Sequence, residues 1–163
     1  MDLMVKNVKT LAAVRNGVPW TCSLYLDGDR IARVQEEGNG GSLWFDYINK
    51  GGRPIDRAAR TALVARLTAH AEAAHAANGE DWKGEAALEI LVGEMVEDVQ
   101  DVLEARNLKR HHNRGNVVWR NPENEKGVWN LTPLPKKATA ARRGFEEGRI
   151  LSQYPEAEIW RPA

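Results

Sequence analysis

Few residues in this chain combine a reactive type with a spacing that chemistry could use. Two histidines occur as His70-Ala-Glu72-Ala-Ala-His75. On an ideal helix a five-residue separation turns them about 140° apart, whereas a helical zinc pair needs positions i and i+4 on one face. Both are expected at the surface or half-buried. The adjacent side chains of His111 and His112 also diverge, and either would need a carboxylate close by to act as an acid or base. Cys22 is the sole cysteine, so neither an internal disulfide nor a multi-cysteine zinc site is available. It sits in the middle of an apolar alternation, where an inert buried thiol is expected. Gly38-x-Gly40-Gly41 lacks both the Gly-Lys-Ser/Thr ending of a P-loop and the third glycine and helix of a dinucleotide fingerprint. The nucleophile elbow, the helical zinc-protease motif and the zinc-deaminase motif are all missing. Accordingly no catalytic residue, metal ligand or cofactor is assigned.

Charge is more informative. The chain has 163 residues with 23 basic and 23 acidic side chains, which argues against a uniformly basic nucleic-acid coat and a uniformly acidic mimic of nucleic acid. The balance conceals a segregation. Residues 72–104 hold ten acidic side chains and one basic, a net of −9, while residues 109–143 hold nine basic and two acidic, a net of +7. Glu94, Glu97, Asp101 and Glu104 follow steps of three, four and three, so on a helix they form one stripe, with Asp98 beside it. Such a stripe suits a basic surface on a partner protein. Two other readings are a solvated face neutralised by the chain's own basic segment and a divalent cation held by several carboxylates. The basic segment supports a nucleic-acid reading, in which Lys109, Arg110, Arg114 and Arg120 contact phosphates and Trp119 supplies a stacking surface. Six tryptophans outnumber three tyrosines and two phenylalanines. Trp44, beside the glycine turn, is the one expected to bind a partner, because tryptophan buries a large area and keeps one donor.

The elements that must position these residues follow from periodicity. Residues from Val5 to Ile48 read as β-structure: Trp20, Cys22, Leu24 and Leu26 alternate with polar neighbours, Asp27-Gly28-Asp29 turns the chain, and a hairpin covers Thr21 to Gln35. Gly38 to Gly41 makes a second turn, and Ser42 to Ile48 a further strand. After Gly51-Gly52 an alanine-rich helix begins with Pro54 in its first turn, carries Ile55, Ala59, Leu63, Leu67, Ala71 and Ala74 on its apolar face, and stops at Asn78-Gly79. The second helix is expected from Glu85 to Arg106, with Leu88, Val92, Met95, Val99 and Val102 inward and an acidic opposite face. Asn116–Arg120 and Val128–Thr132 form a small hairpin, Thr139 to Leu151 a short helix, and Ala157 to Trp160 an edge strand. The fold class is α+β: an N-terminal antiparallel β-meander (1–50) packed on two helices (53–106), then a mixed basic part (107–163), all in a single domain.

The segments CSLYLDGDRIARVQEEGNGGSLWFDY and GRILSQYPEAEIW, with two helices between them, resemble small phage and prophage accessory proteins. The resemblance covers the first fifty residues and the last fifteen, and rests on Asp27-Gly28 and Gly38 to Gly41. It implies an accessory role, which in some such proteins is the inhibition of bacterial defence, in the manner of anti-CRISPR proteins. It implies no active-site residue. The expected function is therefore a phage-encoded, non-enzymatic inhibitor that docks on a host protein, a subunit of a defence complex such as a CRISPR effector, through Glu94, Glu97, Asp98, Asp101, Glu104 and Trp44. A nucleic-acid-binding accessory protein is the first alternative and a small hydrolytic enzyme the second. The N-terminal residues lack the apolar core of a signal peptide, and the longest charge-free stretch runs only from Asn16 to Leu26. A cytoplasmic location in a bacterial host is expected, with no membrane partner.

Overall fold

Alternation of apolar residues builds the first sheet. The structure, a computed structural model, describes residues 1–10, 19–38, 41–122 and 128–162. Four antiparallel strands, β1 (Leu3–Thr10), β2 (Trp20–Leu26), β3 (Asp29–Glu36) and β4 (Trp44–Tyr47), lie in the order β1-β2-β3-β4. The turn between β2 and β3 has φ of 50° at Asp27 and 86° at Gly28, the two left-handed positions that a tight hairpin turn matching strand twist requires. Register pairs Leu3 with Leu26, Val5 with Leu24, Cys22 with Val34 and Ala32 with Tyr47, which gathers the apolar side chains on one face. Asn7, at φ 55°, marks the register shift between Lys6 and Lys9. The turn expected at Asn39-Gly40 lies outside the described residues.

Two helices cover that face. Leu67 and Ala71 from α1 (Arg57–Ala77) and Ala87, Leu88, Val92 and Val96 from α2 (Gly84–Asn113) pack into one buried cluster with Leu24, Val34 and Tyr47. The meander-on-helices expectation is thus met, with local corrections. Pro54 is not in a helix. It bridges Ile48 in an extended stub, where Ile55 N–H donates to the Tyr47 carbonyl at 3.3 Å, and α1 starts only after Asp56, whose Oδ1 accepts from Ala59 N–H at 2.8 Å. The second helix does not stop at Arg106. It continues to Asn113 because Leu108 is buried and the cluster of Arg110, His111 and His112 suits the negative end of the helix dipole; the chain leaves it at Gly115, φ 91°. Val102 is 51% exposed, whereas Val96, one residue beyond the expected Met95, is 1% exposed. A strict four-three alternation drifts relative to a 3.6-residue turn, and the inward row drifts with it.

The chain divides into two compact units, Met1–Gln100 and Asp101–Ala163. In the second, β5 (Asn116–Arg120) is the central strand between β6 (Asn130–Pro133) and β7 (Glu158–Ile159), all antiparallel. The hairpin's second arm therefore begins two residues later than expected, leaving Trp129 before the strand. Helix α3 (Ala140–Gln153) is capped by Thr139, which accepts from Arg142 N–H. Val117, Ile150 and Ala157 form this unit's core with Trp119 and Tyr154. Glu146 is 8% exposed and held by Arg142 at 2.7 Å and Arg149 at 2.8 Å. The bond from Arg149 is the main reason its carboxyl lies below the usual value; burial opposes this and the charge of Arg142 adds to it. No helix of the described residues is long and apolar enough to cross a membrane.

Two predictions follow from this packing. Leu24→Ala, at a fully buried position, should lower unfolding free energy by about 2–5 kcal/mol, while Val102→Ala should change it by less than about 0.5 kcal/mol; urea titration of both measures the difference. Because the Glu146 carboxyl is depressed, its contribution is complete above its ordinary value of 4.5 and is lost as pH falls through the lower folded value. Stability of Glu146→Gln should therefore fall less steeply than that of wild type between about pH 5 and pH 3.

Candidate functional site

β4 is an edge strand, and a groove of about 700 Å³ runs beside it. Period-two alternation sends Phe45 and Tyr47 toward the helices and leaves Trp44 and Asp46 exposed. Phe45 and Tyr47 stack with centroids 5.7 Å apart, and the Arg60 guanidinium lies 5.7 Å from the Tyr47 centroid. Burial pushes the Tyr47 hydroxyl up to about 12, with Arg60 opposing and Glu85 adding to the shift. The groove continues past Trp44 into a lobe of about 420 Å³ lined by Glu36 and Glu37 from the end of β3 and by Glu85 and Glu89, one helical turn apart on α2. Among the described residues the lobe has four carboxylates and no base. Trp44 lines both lobes and is 66% exposed.

A second cluster holds the turn between α1 and α2. His75, expected at the surface or half-buried, is 1% exposed. The spacing signal was present: Leu67, Ala71 and His75 follow steps of four and share the buried row of α1. His75 Nδ1 lies 2.8 Å from Glu80 Oε2, and Nε2 lies 3.0 Å from the Ala87 carbonyl. A carbonyl and a carboxylate both only accept, so this arrangement favours a ring protonated on both nitrogens. Burial opposes that charge, but the bonds to Glu80 and Ala87 and the charges of Glu94 and Glu80 outweigh it and raise the pKa. Glu94 completes a group in which the ligand atoms of His75, Glu80 and Glu94 all lie within 4.8 Å of one another. The connecting loop is further fixed by Glu80 N–H donating to the His75 carbonyl and by Gly84 N–H donating to Glu72 Oε1 at 2.8 Å.

No family model, curated protein or solved structure matches this chain.

The residues expected from sequence fall into distinct places. Glu94, Glu97, Asp98, Asp101 and Glu104 are all exposed on α2, and among the described residues none of them pairs with a lysine or arginine. Glu94 differs from the rest in facing His75. Trp44 joins carboxylates that the stripe did not include: Glu89 and Glu85 lie about one and a half and two and a half turns before Glu94 on the same helix, and Glu36 and Glu37 come from a strand end about fifty residues earlier. Of the nucleic-acid candidates, Lys109, Arg110 and Arg114 are exposed. Trp119 is half-buried, stacks on Tyr154 at 5.0 Å and donates its indole N–H to Thr132 Oγ1. Arg120 pairs with Glu158 at 2.7 Å and lies 5.0 Å from the Trp129 ring centroid. Cys22 is buried, and burial pushes its thiol up to about 11, the state of an unreactive core cysteine.

Replacing His75 by alanine leaves the Ala87 carbonyl without its partner and opens a void in the core row. His75→Ala should cost about 2–4 kcal/mol of stability. A double-mutant cycle of His75→Ala with Glu80→Gln, read by urea denaturation, should show a coupling above about 0.5 kcal/mol; additive effects would mean that the pair is not coupled.

Proposed function

We propose that this chain is a non-enzymatic binding protein and that it docks a basic segment of a partner protein in the groove along β4. One observation carries the reading: a tryptophan that is 66% exposed stands beside four carboxylates in a concave lobe. A lysine or arginine head seated there meets the Trp44 ring, a contact of about 0.5–2 kcal/mol, together with several negative charges. The half-buried Phe45 ring in the groove lining offers apolar area for the residues flanking that cation. The exposed acidic stripe of α2 extends the negative field and favours the approach of a positive partner. The role as a phage-encoded inhibitor of a host defence protein, such as a CRISPR effector, belongs to the same proposal and rests on the resemblance of the terminal segments. The nucleic-acid reading has less support, because Trp119 and Arg120 are engaged within the fold.

Quantitative capture from bacterial lysate tests the groove. Trp44→Ala, the pair Glu85→Lys with Glu89→Lys, and the pair Glu97→Lys with Glu104→Lys serve as baits beside wild type, each checked by circular dichroism for folding. The two charge reversals change net charge equally and so separate the groove from the stripe. A specific partner should be lost by about tenfold or more with Trp44→Ala and with the Glu85/Glu89 reversal, the range of an interface hot spot, and retained with the Glu97/Glu104 reversal. Capture that survives both groove variants overturns the proposal.

A further inference from the structure

His75, Glu80 and Glu94 lie outside the groove along β4. We infer that these three side chains form a binding site for one first-row divalent metal ion, with zinc the ion best suited to the donors.

Two features support this inference. The buried His75 ring is oriented by its Nε2–H bond to the Ala87 carbonyl. Metal-ligating histidines are held in this way, one ring nitrogen bonded to a carbonyl or carboxylate and the other directed at the ion. Its Nδ1 faces Glu80, from the loop after α1, and a carboxylate oxygen of Glu94, from α2, completes a group whose ligand atoms all lie within 4.8 Å of one another. The ligands thus come from separate parts of the unit, and the loop that carries Glu80 is tied by backbone bonds to His75 and by the Glu72 bond to Gly84.

The donor set selects the metal. One imidazole nitrogen and two carboxylates suit zinc and its neighbours, whereas magnesium and calcium prefer all-oxygen shells. Zinc bonds to such donors at about 2 Å, which sets tetrahedral donors about 3.3 Å apart, so a pair at the 4.8 Å limit must close by about 1.5 Å. Glu80 and Glu94 are exposed and can turn inward without disturbing the core. Their exposure also leaves the ion an entry path, and water fills the coordination positions that the protein does not.

Cobalt(II), whose visible absorption reports nitrogen and oxygen ligation, is titrated into the full chain, followed by displacement with zinc. Glu80→Gln and Glu94→Gln are the test variants because both sites are exposed, which avoids the folding cost of changing His75, and Glu97→Gln is the control. The expected result is one ion per chain at a dissociation constant of about 1 μM or tighter. Affinity should fall at least about tenfold in each test variant and remain unchanged in the control. Wild type that takes up neither ion at about 100 μM, or test variants that bind as wild type does and so place the ion elsewhere, for example at His111-His112, would overturn the inference. Failure here leaves the groove reading intact, since Trp44, Glu85 and Glu89 belong to neither the ligands nor their supports.

Discussion

The first unit depends on how the buried His75 ring is held between Glu80 and the Ala87 carbonyl. A charge removed from water costs several kcal/mol unless nearby groups compensate it, and here Glu80, the Ala87 carbonyl and Glu94 all act on one ring. The compensation links the last turn of α1 to the first turn of α2 across the loop between them. With the helix pair joined there, Leu67 and Ala71 on one helix and Leu88, Val92 and Val96 on the other face the same apolar side of the sheet. Neither helix could cover that side alone. The polar staple therefore sets where the apolar rows meet, while burial of those rows supplies most of the favourable free energy.

The same arrangement produces the groove. α2 has to start close to the end of β3 and to β4 in order to lay Ala87 and Leu88 on the core, and its outward residues in that first stretch are Glu85 and Glu89. They arrive beside Glu36 and Glu37 as a consequence of packing. β4 is short and its far half is already paired by the stub at Pro54 and Ile55, a usual way of limiting an open sheet edge. What remains exposed at that edge is Trp44, with Arg60 over Tyr47 on the neighbouring wall. An aromatic ring, four acids and the arginines Arg57 and Arg60 thus share one concave surface without any of them being adjacent to all the others in sequence.

Much of the fold was legible in the residues. The β2-β3 hairpin, the fourth strand, both long helices, the capped C-terminal helix and the α+β class follow from periods of two and 3.6 and from turn residues whose backbone preferences are local. The boundaries that differed have particular causes. Pro54 was drawn into a bridge by Tyr47 and Ile48, and α2 continued past Arg106 because Leu108 is buried. The site was less legible. Trp44 stands beside a glycine turn in the sequence, but the carboxylates that share its lobe come from the end of β3 and the start of α2, whereas the stripe of Glu94, Glu97, Asp98, Asp101 and Glu104 lies in the middle of the helix. For His75 the informative neighbours in sequence are Leu67 and Ala71, which share its buried row, rather than His70.

By itself, then, the sequence determined the strands, the helices, the inert buried Cys22 and the separation of acidic from basic segments, because each depends on residues within a few positions of one another. Only tertiary structure decided that His75 is buried against Glu80 and the Ala87 carbonyl, that Glu94 among the stripe comes close to it, that Trp119 and Arg120 are engaged internally, and that Glu36, Glu37, Glu85 and Glu89 line one lobe with Trp44. The physical reason is common to all four. Each depends on distance through space between groups far apart in the chain, and both the cost of burying a charge and the attraction between charges follow that distance rather than position in sequence.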